Sequence, residues 1–286
     1  ALAGALAYAV TFSVQEAAGW IAAYGHLLSA TALLLALLAC GAWIQTGRRR
    51  FLALSLAAGA AGILIKEDTL TLPAVLLVMV FLARRMGKID RGRFLLGGGL
   101  YILLGLVQGA AVWLWHRSAD SLASGGQAAL GLHGLANYRS LVGLLIPPPD
   151  YIPFVSLVNR LLPGAFLTAY QVIGWGLLLP LGAFLAWRFW KGGLLEKTAA
   201  ALILITFAPF SMVTVGISMR YLYIPYAGFA VLLGWGAAQL RQSRREGLLL
   251  AALAVFTAGS LLGTWVWNVR VGRYTEEKRA AIQTIV

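Results

Sequence analysis

Residues 51–81 read FLALSLAAGAAGILIKEDTLTLPAVLLVMVF, and the only charges in them are the consecutive Lys66, Glu67 and Asp68. Charge at membrane depth is expensive, so such a cluster marks a functional site or a break between two helices, and both can hold together. The apolar runs on either side, 51–65 and 69–83, would each give about 22 Å of helix against a hydrocarbon core of about 30 Å. Basic clusters then follow at both far edges, Gly47–Arg50 and Arg84–Arg93. The stretch therefore reads as two short membrane segments that meet at a charged corner.

The rest of the chain repeats this alternation. Of its 286 residues 60% are hydrophobic and only 12% charged, with a mean hydropathy of +0.81. A soluble domain carries about twice that share of charge. The net charge of +13 has an explanation other than nucleic acid: 14 of the 23 Lys and Arg fall in Gly47–Arg50, Arg84–Arg93, Arg188–Lys197 and Arg241–Arg245. That bias puts those four loops in the cytoplasm, and no nucleic-acid partner is expected. Seven of the ten acids (Glu16, Glu67, Asp68, Asp120, Asp150, Glu276 and Glu277) then fall on the outer side.

Alternation predicts an all-α, polytopic helical membrane protein of about nine segments: 1–14, 27–45, 51–65, 69–83, 94–115, 161–187, 198–216, 221–240 and 247–267. It divides into membrane helices 1–115, an outer loop 116–160, further membrane helices 161–267 and an outer-side tail 268–286. In the loop, Leu132, Leu135, Leu141, Leu144 and Leu145 alternate with His133, Asn137 and Arg139. That pattern suits a helix lying in the interface, ended by Pro147, Pro148 and Pro149. The chain starts at Ala1 with neither a basic flank nor a cleavage site, so we read it as an internal fragment rather than one opening on a signal peptide.

Four clusters converge on the outer face in this topology. Glu16 stands near Trp20 and His26, where a lone acid at a helix end is more often a solvated cap than a catalyst. Lys66, Glu67 and Asp68 read either as a site or as a polar turn in which Asp68 caps the next helix. Ser218–Tyr226 holds Arg220, Tyr221, Tyr223 and Tyr226, which suit either an aromatic belt with a snorkelling arginine or a phosphate site. The fourth cluster is His116 and Arg117 with His133 and Arg139. Three histidines without helical ligand spacing predict no zinc site, and Cys40 reads as a small buried side chain. Gly-x-Ser-x-Gly, Gly-Lys-Ser/Thr and His-Glu-x-x-His motifs are missing.

Three strings in order, Glu16–Ala30 (EAAGWIAAYGHLLSA), the Lys66-Glu67 context and Arg220–Phe229 (RYLYIPYAGF), resemble the GT-C class of membrane glycosyltransferases. The likeness is closest to the O-mannosyltransferase-like branch that often carries tetratricopeptide repeats. It covers residues of about 8–90 and about 195–270. The resemblance implies transfer of a sugar from a polyprenyl-phosphate donor to a glycan or protein acceptor on the outer side, with membrane lipid as surroundings. Glu16 falls on the Glu of the family's His-Pro-x-His-x-Glu motif and Glu67 on its Lys-Glu motif, both as supporting catalytic residues. Arg220 would hold the lipid phosphate, with Lys66 as second candidate and Tyr221, Tyr223, His26 and Asp68 around the substrate. Thr11, Phe12 and Val14 replace the motif's histidines and proline. The family's principal acidic motif lies upstream of the helix that 1–14 resembles, so the main base is expected outside this chain.

No cofactor follows from these residues, and a divalent metal stays open. Two other readings remain: a polysaccharide polymerase or ligase acting on lipid-linked glycans, and a non-enzymatic transporter or scaffold. Short loops and the absence of Asn-x-Ser/Thr point to a bacterial inner membrane with the active face to the periplasm.

Overall fold

The computed structural model describes residues 24–118, 137–145, 164–211 and 222–242, with isolated positions at 5, 9, 247, 251, 255, 258, 265 and 269. All regular structure among them is helical. In chain order the helices are α1 (Tyr24–Thr46), α2 (Arg49–Ile65), α3 (Leu72–Arg85), α4 (Arg91–Ser118), α5 (Ala165–Lys191), α6 (Leu194–Ser211) and α7 (Tyr223–Gln242). Two 3-10 turns join them, Glu67–Thr71 between α2 and α3 and Arg139–Leu144 before α5. These seven helices occupy the positions of the middle seven expected segments; 1–14 and 247–267 lie outside the described helices. Stretches Gly25–Thr46, Arg91–Leu114 and Thr168–Lys191 are long and apolar enough to cross a membrane. By contrast α2 and α3, at 17 and 14 residues, measure about 26 and 21 Å along their axes, short of a bilayer's hydrocarbon thickness.

Helix α1 packs most extensively on α2, α3 on α4, and α6 on α7, with α6 also against α3 and α5. A first core joins Leu33, Trp43, Leu72, Leu76 and Tyr101 of α1–α4 to Leu202, Tyr223 and Ile224. A second joins Leu181 and Leu185 of α5 to Ile203, Phe207, Tyr226 and Phe229. Thus α6 and α7 belong to both. Small residues set the closest approaches, as in helix pairs that must pack without a hydrophobic drive between them. A methyl at Gly228 would fall 2.7 Å from the Ala199 carbonyl oxygen and 2.9 Å from Ile203 Cγ1. One at Gly97 would run into the Trp43 ring, 2.8 Å from Cζ3.

The turns follow local rules. Gly47, at φ +71°, ends α1, with its N–H donated to Trp43 O at 2.8 Å. The guanidinium of Arg93 donates to Trp43 O and to Ile44 O at 2.9 Å, a cation on the last carbonyls of a helix end. Gly87, at φ +69°, ends α3 in a Schellman arrangement: Gly87 N–H donates to Arg84 O and Lys88 N–H to Ala83 O. Asp90 then opens α4 by accepting the Arg93 N–H at 2.8 Å, and this bond, above all others, holds its carboxyl below the usual range.

Two details differ from the sequence reading. The residue at the N-cap of α3 is Thr71, without a side-chain cap bond, and Asp68 lies three positions earlier inside the 67–71 turn. Pro73 in the first turn of α3 supplies the start instead. The described part of the expected interfacial helix is the 139–144 turn, with Leu141 and Leu144 buried against α5, α6 and α7. Residues 130–136 and 146 of that expected helix lie outside the described residues.

Candidate functional site

Lys66 is where α2 stops. Its backbone is extended, at φ −163° and ψ 143°, and its N–H still donates to Gly62 O at 2.9 Å. The carbonyl of Lys66 accepts from the N–H of Thr69 at 3.3 Å and from its hydroxyl at 3.1 Å. Thr69 is fully buried, with its methyl carbon 3.1 Å from the place a Cβ of Gly62 would take. A side chain at position 62 would crowd Thr69, so glycine there suits the tight fold-back of the turn. The corner is therefore a built element, held by its own threonine and by a glycine one turn before the break.

The same corner meets α1. The Lys66 Cδ and the Ile65 carbonyl oxygen lie 3.8 and 3.9 Å from where a Cβ on Gly25 would stand. The lysine stem thus lies along α1, half-buried, and its ammonium has no ion-pair partner among the described side chains. One residue on, His26 is 4% exposed and its ring sits edge-on to that of Tyr223, the centroids 5.3 Å apart at 76°. Tyr223 is 0% exposed and its hydroxyl lies 3.1 Å from Ser29 Oγ. Ser29 donates its single proton to the His26 carbonyl at 2.9 Å, so the Tyr223 hydroxyl is the donor to Ser29.

Three segments far apart in sequence are therefore fastened at one end of the bundle: the start of α1, the Lys66–Thr71 corner and the start of α7. Of the expected site residues, Lys66, His26 and Tyr223 are brought together. The backbones of Glu67 and Asp68 begin the corner's 3-10 turn, while their side chains lie outside the described set. Glu16, Arg220 and Tyr221 lie outside the described residues. Ser29 and Thr69 complete the cluster without having been singled out as site residues. Ser29 sits one helical turn from His26, on the same face, and that spacing was the available signal. Thr71 Oγ1, at the end of the corner, is buried and makes no hydrogen bond among the described residues.

Polar side chains elsewhere have structural work. Tyr101 of α4 donates to Ser55 of α2 at 2.9 Å, and Ser55 donates to the Ala36 carbonyl of α1 at 2.8 Å. Gln108 donates to the Gly59 carbonyl at 2.9 Å. These bonds tie three helices at successive depths, behind the cluster. Between α5, α7 and the 139–144 turn lies a cavity of about 590 Å³, lined by apolar side chains from Leu144 to Leu240. Arg188 stands at its edge, stacked 3.7 Å over the ring of Trp235 and paired with Glu196 at 2.9 Å. Among the described residues no three His, Cys, Asp or Glu side chains lie close enough to share a metal ion.

The chain matches no protein-family model, no curated protein and no solved structure.

Proposed function

We propose that the protein is the membrane part of a glycosyltransferase that takes a sugar from a polyprenyl phosphate and passes it to an acceptor outside the cytoplasm, at the end of the bundle that carries Lys66. One observation supports this above the rest: the three strings that carry the family likeness meet at one place, with Lys66 against Gly25 and Tyr223 bonded to Ser29. Sugar transfer from a lipid phosphate needs a cation where charge builds on the leaving phosphate and a carboxylate near the acceptor hydroxyl. Lys66 supplies a half-exposed ammonium with no acid spent on it among the described side chains. Glu67, next in sequence, supplies a carboxylate on a turn fixed by Thr69. Arg220 precedes Tyr223 by three residues and is the second cation of this reading.

His26, Ser29 and Tyr223 are too deeply buried to meet a bulky acceptor, and in this reading they position the walls. Their hydrogen bonds hold α1 and α7 at fixed separation, so the lysine stem keeps one path along α1. The reading places the site in the membrane of a bacterial cell, facing the periplasm.

Full-length protein in proteoliposomes, supplied with radiolabelled polyprenyl-phosphate sugars, tests it. Transfer that depends on the lipid-phosphate donor and is lost in Arg220→Ala supports the reading. No transfer from any such donor, with Arg220→Ala indistinguishable from wild type in the cell, removes it.

A further inference from the structure

We propose that the concavity between the end of α3 and the start of α4 binds the phosphate headgroup of an anionic glycerophospholipid. It is a hollow of about 700 Å³ lined by Phe81, Arg84, Arg85, Arg91, Phe94 and Leu95. Three of its six lining residues are arginines and none is acidic. All three arginines are exposed and none makes an ion pair among the described residues. Asp90, the acid in the connecting turn, is committed to the Arg93 N–H and does not line the hollow. A guanidinium offers paired donors to a phosphate's oxygens, and three around one hollow neutralise a charge without helix rearrangement.

The backbone positions of the arginines are set by the turn beneath them. The Schellman bonds at Gly87 and Lys88 close α3, and the Asp90 cap opens α4. Ile89 is buried between these two caps, and Arg84 Nη1 lies 3.4 Å from its carbonyl. The backbone that carries the three arginines is thereby fixed, which reduces part of the ordering cost of binding.

The apolar half of the lining decides between a lipid and a free anion. Phe81 and Leu95 are 49% and 59% exposed, and Leu95 begins an exposed apolar strip on α4 that continues through Ile102, Leu103 and Leu106. This strip belongs to the membrane-length stretch Arg91–Leu114. A phosphate seated among the arginines thus has a path for acyl chains directly below it, which a soluble polyanion would leave bare. Basic hollows at helix ends are a recurrent way of holding anionic headgroups.

Native mass spectrometry of the purified full chain in non-ionic detergent, titrated with phosphatidylglycerol or phosphatidylcholine, tests this. Phosphatidylglycerol is expected to bind more tightly, and the triple variant Arg84→Gln/Arg85→Gln/Arg91→Gln to weaken it by at least about tenfold. The variant Arg48→Gln/Arg49→Gln/Arg50→Gln removes equal charge from the neighbouring α1–α2 turn and is expected to change binding by less than about twofold. If the glutamine triple at 84, 85 and 91 fails to insert, Arg84→Lys/Arg85→Lys/Arg91→Lys keeps the charge while losing the planar forks, and a loss of about threefold is expected. Equal effects of the two glutamine triples, no preference for phosphatidylglycerol, or unchanged binding in the lysine triple would overturn the proposal. So would displacement of the lipid by inorganic pyrophosphate at equal phosphate concentration, which would make the hollow a free-anion site.

Discussion

The two ends of the α1–α4 group handle polarity in opposite ways. At the Lys66 corner one half-exposed cation, among the described side chains, stands over polar and deeply buried groups: His26, Ser29, Thr69 and Tyr223. At the other end cations are many. Arg93 caps α1, while Arg48, Arg49, Arg50, Arg84, Arg85 and Arg91 are exposed. Arg188, in the last turn of α5, is buried beside Glu196 and Trp235. Counting charges would point to the basic end as the business end. Burial points the other way, because hiding a hydroxyl or an imidazole costs free energy unless each finds a partner. A cluster so assembled from three distant segments holds a geometry of buried groups, whereas the exposed arginines of the other end face the membrane surface and its headgroups.

The largest expected effect comes from the buried pair. Arg188→Met strands the Glu196 carboxylate, with the Arg188 and Glu196 side chains only 8% and 13% exposed, and should cost about 3 kcal/mol. Heat denaturation in detergent measures it, and adding Glu196→Gln should recover much of the loss. A cost near zero would mean that basic-end charges are interchangeable.

Next comes the packing between α1 and α4. Gly97→Leu drives a side chain into Trp43 and should cost about 2 kcal/mol. Gly109→Leu on the same helix, with nothing within 4 Å of its Cβ position, should stay within about 0.5 kcal/mol.

At the corner the expected effects are smaller and coupled. Ser29→Ala and Tyr223→Phe should each cost about 1 kcal/mol. Their double-mutant cycle should leave a coupling of about 0.6 kcal/mol, typical of hydrogen bonds between membrane helices. Strict additivity would mean that the two hydroxyls do not hold the helices together. The smallest effect is that of Asp90. Its carboxyl is held below the usual range by the Arg93 N–H, so its stabilisation is present above a pH of about 4. It disappears as pH falls through the lowered folded-state value. Unfolding followed across that window should lose this pH dependence in Asp90→Asn.

Helix positions were legible because basic clusters punctuate apolar runs, and the break at Lys66 was visible as charge where charge is costly. The start of α3 was misjudged because Asp68 is a better N-cap type than Thr71, yet Pro73 and the buried Thr69 dictate where the helix can begin. His26 and Tyr223 were picked individually; that they touch was not legible. Ser29 and Tyr223 are 194 residues apart, and one hydroxyl in an apolar helix carries no record of its partner. The same holds for Ser55, Tyr101 and Gln108, which look like stray polar residues until α2 and α4 are laid side by side. The packing of the 139–144 turn was not legible for a different reason. Alternating leucines look alike whether they face lipid or protein.

The comparison of the two ends is tested most directly by measuring sugar transfer from a polyprenyl-phosphate donor in Lys66→Met and Arg48→Gln proteins, matched for amount and insertion. Each variant removes one cation, one from either end. The account predicts that Lys66→Met lowers kcat/KM by about a hundredfold, as expected when a cation facing a leaving phosphate is removed, while Arg48→Gln stays close to wild type. Equal activity in the two variants would contradict it.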